Sequence, residues 1–528
     1  MGNKPVQRTP RFRYAGRAAS TVAGVIAITL AVTQLPSAAT AFGYAARLPA
    51  PAGSPRTAEV NVAAISCPTL GNCTAAGSYL PSKGSSVETP VVITKSGGKW
   101  TARKLSLPSN ATVGAPTDPS YLDSVWCSSP SDCIALGSYV AGVTLEGFVA
   151  TESSGTWSRG VELPTPSNEK AGSSSVVAAL SCTLVTSCVV VGGYASTSSD
   201  SAVYVDTETG GAWTAQAIAE PSGAEGESLN AVNCTSPGNC EAVGGFQNAK
   251  GNWPIVLRET DGTWNRGARL GLPRNANVTD ENPPLLDAVS CPTALTCIAG
   301  GEYGTPTGDE GFFDSESGGV WAPPTEAILP RNATSGDGPA GIQALACTGP
   351  GRCVAGGYYV ASGPTFFGAT LGATFRKVGG SWSRGVQQVG LPAGAATPGS
   401  QDSSVSGVAC TRSNECVIVG LYSDAYSTGS FAATPARPPS EARITKITPL
   451  VNGFRIAVKA PASNGGLSIS NYQYSLDGGA AWKNSASGSS TSILIPRLSA
   501  HRLYILCVRA VTEAGSGPRS QVVAATTK

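Results

Sequence analysis

The sequence predicts an all-β protein: a seven-bladed β-propeller with disulfide-stapled hairpins, followed by a smaller β-sandwich. Three observations carry that expectation. The first is a cysteine pair with five residues between its members that recurs as Cys67/Cys73, Cys127/Cys133, Cys182/Cys188, Cys234/Cys240, Cys291/Cys297, Cys347/Cys353 and Cys410/Cys416. The repeat of roughly 50–65 residues is the period of a propeller or a solenoid. The second is the frame around each pair. Glycine stands four positions after each second cysteine (Gly77, Gly137, Gly192, Gly244, Gly301, Gly357, Gly420), with an aromatic two further on (Tyr79, Tyr139, Tyr194, Phe246, Tyr303, Tyr359, Tyr422). The third is a Gly-x-Trp step at Trp100, Trp157, Trp213, Trp264, Trp321 and Trp382.

The fourth repeat shows how each element follows. Leu229–Cys234 alternates apolar and polar residues, as a strand does. Thr235–Asn239 is turn chemistry, rich in Pro, Gly and Asn. Cys240–Phe246 reads as a second strand and Pro254–Thr260 as a third. Asp261 and Gly262 turn the chain into a fourth strand from Trp264 to Leu270, ending at Leu272-Pro273. Four short antiparallel strands make a blade. The seventh repeat supplies a third strand at Ser430–Thr434 and has no Gly-x-Trp step. Phe42–Pro49 matches Trp157–Pro164 in spacing, with Phe in place of Trp. It is expected to close the ring by joining the last blade, which leaves no open edge. The cysteines of each pair then flank a five-residue turn and face each other across a hairpin. Loop-entropy arithmetic gives about 2 kcal/mol per bridge. Zinc is the competing use of paired cysteines, but it favours knuckles with two to four residues between them and histidine nearby, and the one histidine is His501.

The 528 residues leave room for this array and one accessory module. Lys4, Arg8, Arg11, Arg13 and Arg17 form a basic start, an uncharged stretch runs from Ala18 to Leu35, and Ala39-Thr40-Ala41 offers a small-residue cleavage site. Residues 1–41 are therefore expected to be a secretory signal peptide cleaved before Phe42; an uncleaved signal anchor is the alternative. Without those five cations the balance is 31 basic against 34 acidic residues. A faintly acidic chain without a Lys/Arg cluster lacks the footprint of a nucleic-acid binder. Export accords with paired cysteines, which oxidise outside the cytosol. Localisation is expected to be extracellular, at most cell-surface associated, with no membrane span after cleavage and a monomeric chain.

Residues 42–434 are thus assigned to the propeller and 435–440 to a Pro-rich linker. Residues 441–528 carry Phe454–Pro461, Ser463–Gly466, Ile469–Tyr474 and Leu503–Val511, then Glu513–Pro518 as a final turn. In this order the segments resemble a fibronectin type III domain. The resemblance implies an immunoglobulin-like β-sandwich with Tyr504 at its tyrosine corner; the usual strand B tryptophan is missing. Ser475–Trp482 fits the Asp-box pattern S-x-D-x-G-x-x-W once, outside the propeller, and is expected to be a plain turn. Cys507 is unpaired and expected to be a half-buried thiol, with an intermolecular bridge as the alternative.

No Ser-His-Asp or Cys-His arrangement has a base within the propeller, since His501 lies in the sandwich. No G-x-S-x-G, H-E-x-x-H, P-loop or dinucleotide fingerprint appears. No cofactor or metal is implied. A sialidase should present an arginine cluster, a tyrosine nucleophile and repeated Asp-boxes, whereas Arg159, Arg266 and Arg384 fall on the outer strand. The segments Leu80–Thr89, Ala195–Ser201, Asn248–Trp253 and Gly304–Glu310 share no pattern, and variable loops on a rigid frame are where function concentrates. Four residues before each first cysteine, at the expected channel mouth, stand Ala63, Asp123, Ala178, Asn230, Asp287, Gln343 and Ser406. Asp123, Asn230, Asp287 and Gln343 are the candidate ligand-binding residues, for a polar ligand or a cation; hydrating the channel or capping loops is the plainer role. Asn72, Asn110, Asn233, Asn277 and Asn332 head Asn-x-Thr sequons. The expected function is non-catalytic binding of an extracellular glycan or protein through the variable loops. The alternative is a glycosidase or lyase with an accessory module, which carboxylate pairs alone would permit.

Overall fold

The computed structural model describes residues 42–528 apart from single positions and short segments, the longest being 113–118, 334–338, 362–369 and 396–401. Residues 1–41, and with them the expected signal peptide, lie outside the described part, as does Asn332. Among the described residues every regular element is a β-strand, and no helix is long and apolar enough to cross a membrane.

Seven sheets follow one another along residues 46–433. Sheet 1 runs Glu59–Thr69, Asn72–Leu80, Thr89–Ser96 and Lys99–Lys104, each strand antiparallel to the last. The innermost strands of sheets 2 to 7 are Tyr121–Ser129, Ser175–Leu184, Ala224–Ser236, Leu285–Thr293, Gly341–Gly349 and Ser403–Arg412. Each innermost strand packs against the next, and that of sheet 7 against that of sheet 1. The short strand Ala46–Arg47 pairs with Thr428–Ala433 of sheet 7, placing Ala46 opposite Ala432 and Arg47 opposite Phe431. It occupies the outer position in sheet 7 that the Trp-containing segments hold elsewhere.

The core is divided among the seams between neighbouring sheets. Val189, Val191 and Val205 of sheet 3 meet Val232, Ala242 and Leu257 of sheet 4, and an equivalent apolar cluster fills each of the other six seams. Six of the seven recurring aromatics are buried in them, and Tyr194 in a small cluster with Ala202 and Tyr204; Tyr139, Tyr194 and Tyr303 stand edge-on to Phe148, Tyr204 and Phe312. All seven cysteine pairs are bridged as the hairpins imply, with Cα atoms 4.0–4.1 Å apart.

Two local expectations need correction. The turn between the inner strands is two residues, not five, because both strands continue past the cysteines (Ser129 to Asp132, Ser236 to Asn239).

The longer strands also set how deep the staples sit. The second cysteine of every pair, Cys73, Cys133, Cys188, Cys240, Cys297, Cys353 and Cys416, is buried, none more than 5% exposed. Each belongs to the apolar cluster of a different seam. The strand extensions carry the bridge inward by a residue pair, and a disulfide sulfur is apolar enough to pack there. These cysteines are core residues as well as staples. None of them is a surface site.

The second correction is that the outer strand runs unbroken in sheets 1 and 3, at Lys99–Lys104 and Ala212–Ala217, but not in others. In sheets 2, 4 and 5 it breaks into two-residue pieces such as Thr263–Trp264 and Ala268–Arg269. In sheets 2 and 4 the buried apolar residue comes six rather than five positions after the tryptophan (Leu163 and Leu270 against Leu105 and Ile218). The extra residue cannot stay in register. Asn265 Oδ1 instead accepts from Arg258 N at 3.0 Å, and Gly267 takes φ +81°, a conformation that favours glycine.

The C-terminal residues form two sheets, one of Arg443–Leu450, Gly453–Lys459 and Ser492–Ile495 and one built on Asn471–Ser475 and Leu503–Thr512. Phe454, Ile456, Tyr472, Ile493, Leu506 and Val508 pack in one cluster with both. Tyr504 Oη accepts from Ser499 N at 3.1 Å. The segment before this unit is docked on it: Arg437 N donates to Gly465 O at 2.9 Å and Ser440 N to Ser463 O at 2.8 Å.

Candidate functional site

A β-bulge interrupts the innermost strand of every sheet at the same place. Pairing skips one residue between Val62 and Ala64, Leu122 and Ser124, Val177 and Ala179, Leu229 and Ala231, Leu286 and Ala288, Ile342 and Ala344, and Val405 and Gly407. The skipped residues are Ala63, Asp123, Ala178, Asn230, Asp287, Gln343 and Ser406. A bulge leaves its extra residue out of the ladder and re-aims the side chain. It also explains the recurring glycine, which pairs with the residue just before the bulge. A Cβ on Gly77 would lie 1.9 Å from Asn61 O, and one on Gly301 2.0 Å from Leu285 O. No side chain fits there, so the glycine admits the bulge and the bulge points its residue away from the sheet.

All seven bulge residues line one cavity of about 180 Å³. The candidates Asp123, Asn230, Asp287 and Gln343 are therefore brought together. Two bulge residues also tie neighbouring sheets. Asn230 Nδ2 donates to Leu286 O at 3.1 Å and approaches Asp287 Oδ1 at 3.4 Å, and Ser406 Oγ donates to Val62 O at 2.8 Å. Gln343 Oε1 is buried at the cavity wall without a hydrogen-bond partner. The polar residues form a run over sheets 4 to 7, while Asp123 stands between Ala63 and Ala178.

Sequence reasoning missed a pair near this wall. Tyr358 Oη donates to Glu302 Oε2 at 2.6 Å. Burial raises the Glu302 carboxyl above the usual carboxylate range, against the Tyr358 hydrogen bond and with repulsion from Asp309. Burial also raises the Tyr358 hydroxyl, and Asp287 and Asp309 act on it too. A Cβ on Gly341 would fall 2.4 Å from Glu302 Oε2, so that glycine makes room for the carboxyl. The signal was present in the repeat. Between the recurring glycine and aromatic stand Ser78, Ser138, Gly193, Gly245, Glu302, Tyr358 and Leu421, and the Glu-Tyr succession departs from the small residues before it.

The loops after the second strands differ in length, from two residues between Ala141 and Thr144 to nine between Val360 and Thr370. Below them recurring tyrosines tie a strand of their own sheet to the segment that leads into that sheet. Tyr139 Oη donates to Glu162 Oε2 at 2.8 Å beside Asn110, and Tyr303 Oη to Glu310 Oε2 at 2.6 Å beside Asn275. Asn110 Nδ2 is itself bound to Glu162 Oε2 at 2.6 Å, and Asn233 Oδ1 accepts from Cys291 N at 2.8 Å. Two sequon asparagines thus serve in packing.

At the stapled end, a cavity of about 80 Å³ lies beside Glu241 and Arg258. Arg258 binds Glu241 at 2.9 Å and also Glu316 of the next sheet. Glu241, Cys297 and Glu316 are close enough to share a metal ion, but the Cys297 sulfur is bonded to Cys291 and Arg258 already pairs with both carboxylates. In the C-terminal unit the Asp-box residues form a turn: Asp477 Oδ1 accepts from Ala481 N at 3.0 Å and Ser475 Oγ from Gly479 N at 2.8 Å. Cys507 is fully buried at 0% exposure. It is not half-buried, and an intermolecular bridge has no access to it.

No protein-family model matches the sequence, and no curated protein does. Among solved structures the chain is similar to a protein of unknown function from Dyadobacter fermentans, at 10% identity over 75% of this chain and 96% of that one, with a TM-score of 0.40. It is similar to a mutant of AofleA from Arthrobotrys oligospora at 12% identity over 65% and 94%, TM-score 0.36. A third is the sixth fibronectin type III domain of human fibronectin type III domain containing protein 3, at 26% identity over 17% and 88%, TM-score 0.16.

Proposed function

We propose that the chain is a secreted or cell-surface binding and scaffold protein that takes an extracellular glycan or protein on its variable loops and catalyses nothing. In this reading residues 1–41 are a signal peptide and 42–434 a seven-bladed propeller closed by the N-terminal strand. Residues 435–440 are the connection and 441–528 a fibronectin type III module that acts as spacer. The observation that carries it is the convergence of seven bulge residues on one cavity beneath loops of unlike length. A rigid frame with a polar centre and variable rim is built to bind. The cavity itself suits a small polar group or a cation held by Asp123, Asn230, Asp287 and Gln343. Seven disulfides support an oxidising compartment. The test is a glycan and protein array probed with the mature protein, alongside assays for glycan hydrolysis. Reproducible binding with every glycan recovered intact supports the reading; cleavage overturns it.

A second reading, a carbohydrate-active enzyme, is favoured by one observation. Glu302 is a part-buried carboxyl whose proton affinity burial raises, with Asp309 near enough to repel its charge, and an acid of raised proton affinity near a second carboxyl is the pairing glycoside hydrolysis uses. Glu302→Gln separates the two readings. It removes any turnover by about 100-fold or more if Glu302 is the acid, and leaves loop binding intact if it is not.

A further inference from the structure

Two of the seven seams hold a carboxyl group with no partner for its charge. On the third strand of sheets 1 to 6, the position two residues before the one paired with the recurring tryptophan carries Ile93, Ala150, Asp206, Leu257, Asp314 and Phe375. All six are buried. Four are apolar, as an inter-sheet core requires, and two are acids. Asp206 is 0% exposed and Asp314 1%. Neither oxygen of either side chain has a hydrogen-bond partner.

Register places each in a seam. Asp206 is opposite Val190, and opposed residues share a face; Val190 packs with Ile134, Leu136 and Val149 of sheet 2. Asp314 is opposite Ala299, which packs with Val243 and Val256 of sheet 4. The ionisable groups around them offer no rescue. Beside Asp206 stand Tyr204 and Glu208 of its own strand, and beyond Tyr204 lie Glu146 and Glu169. Beside Asp314 stand Glu316 of its own strand and, from sheet 4, Glu241 and Arg258, with Arg258 taken by Glu241 and Glu316. An isolated carboxylate in such a place is far costlier than the neutral acid. Burial alone pushes both groups up to about 7.

We propose that Asp206 and Asp314 make the seams between sheets 2 and 3 and between sheets 4 and 5 proton-operated: protonated, they pack as neutral filler, and deprotonation loosens those two seams. The sign follows from proton binding. The folded chain keeps a proton on each group that the unfolded chain releases from about pH 4 upward, so stability falls as pH rises between the unfolded value of 3.8 and about 7 and is level above that. Each group raises the unfolding constant by up to about tenfold per pH unit in that window. The ring is thereby strongest in acidic surroundings and weaker from neutral pH upward.

The test is urea unfolding of the full mature chain from about pH 5 to about pH 8.5, for wild type, Asp206→Asn, Asp314→Asn and the double variant. Wild type should lose stability as pH rises, each single variant should lose part of that slope, and the double variant should lose most of it and exceed wild type at alkaline pH. Equal slopes in all four proteins, or Asn variants weaker than wild type at about pH 8.5, would overturn the proposal. If a variant does not fold, infrared spectroscopy of wild type decides. A protonated-carboxyl carbonyl band should persist at about pH 6 and vanish by about pH 8.5, and its absence at about pH 6 overturns the inference.

Discussion

The seven sheets and the C-terminal unit bury their apolar faces in opposite ways. Each of the seven shares its core with both neighbours, so a side chain such as Val205 of sheet 3 is covered by sheet 4. The C-terminal unit keeps one cluster between its own two sheets, and its one cysteine, Cys507, is unbridged. A core divided into seams makes every sheet depend on the circuit being complete. A core held within one unit fails or survives alone. The staples follow the same division: all seven lie where sheets must hold their shape for a neighbour, with one sulfur of each, such as Cys133 or Cys416, inside a seam.

Four variants break or sharpen this contrast. Deleting residues 42–49 removes Phe42 and Ala45 from the seam between sheets 6 and 7, and Leu48 from that between sheets 7 and 1. The expected cost to the ring is about 5 kcal/mol. Calorimetry should show the large transition lowered and that of the C-terminal unit unmoved; an unmoved large transition would show the strand to be dispensable. Phe454→Ala should cost the C-terminal unit about 4 kcal/mol and leave the ring's unfolding where it was. A joint shift of both transitions would mean the two cores are coupled. Gly301→Ala drives a methyl group against Leu285 O and should cost about 3 kcal/mol. An alanine tolerated there in chemical denaturation would argue against the bulge as the reason for the glycine. Replacing Cys234 and Cys240 together by alanine should cost about 2 kcal/mol, seen as a modest drop in the urea midpoint and faster proteolysis near sheet 4. A loss as large as that of the strand deletion would contradict the secondary role given to single bridges.

Much of this architecture was legible because it repeats. Cysteine, glycine, aromatic and tryptophan each mark one point of a sheet, and their spacing places strands without any long-range information. The pairing of the cysteines was legible in the same way, but their depth was not. Cys188 and Cys353 look like the ends of a turn until the neighbouring sheet is seen to cover them. The bulge was half legible. Four residues before each first cysteine stood out as a position, but a skipped pair leaves little trace in a sequence such as Val62-Ala63-Ala64. The broken outer strand was written in one extra residue between Trp264 and Leu270, which matters only when set beside Trp100 and Leu105. Glu302 and Tyr358 were hidden because alternation along one strand cannot say that a glycine in the next sheet, Gly341, leaves them room. Asp206 and Asp314 were hidden for the opposite reason. A polar residue on an alternating strand reads as solvent-facing, and only the neighbouring sheet shows that this face is closed. Arg258 joins carboxylates 17 and 58 residues away, a contact no local pattern announces.

The claim that the bulge residues and loops bind rather than catalyse is tested most directly by calorimetric titration of the strongest array-selected glycan into wild type and into the Asp123→Asn, Asp287→Asn double variant, with the glycan analysed afterwards. The account predicts binding weakened by about 1–3 kcal/mol in the double variant and a glycan recovered whole from both proteins. Unchanged affinity, or a glycan cleaved by wild type and spared by the variant, would contradict it.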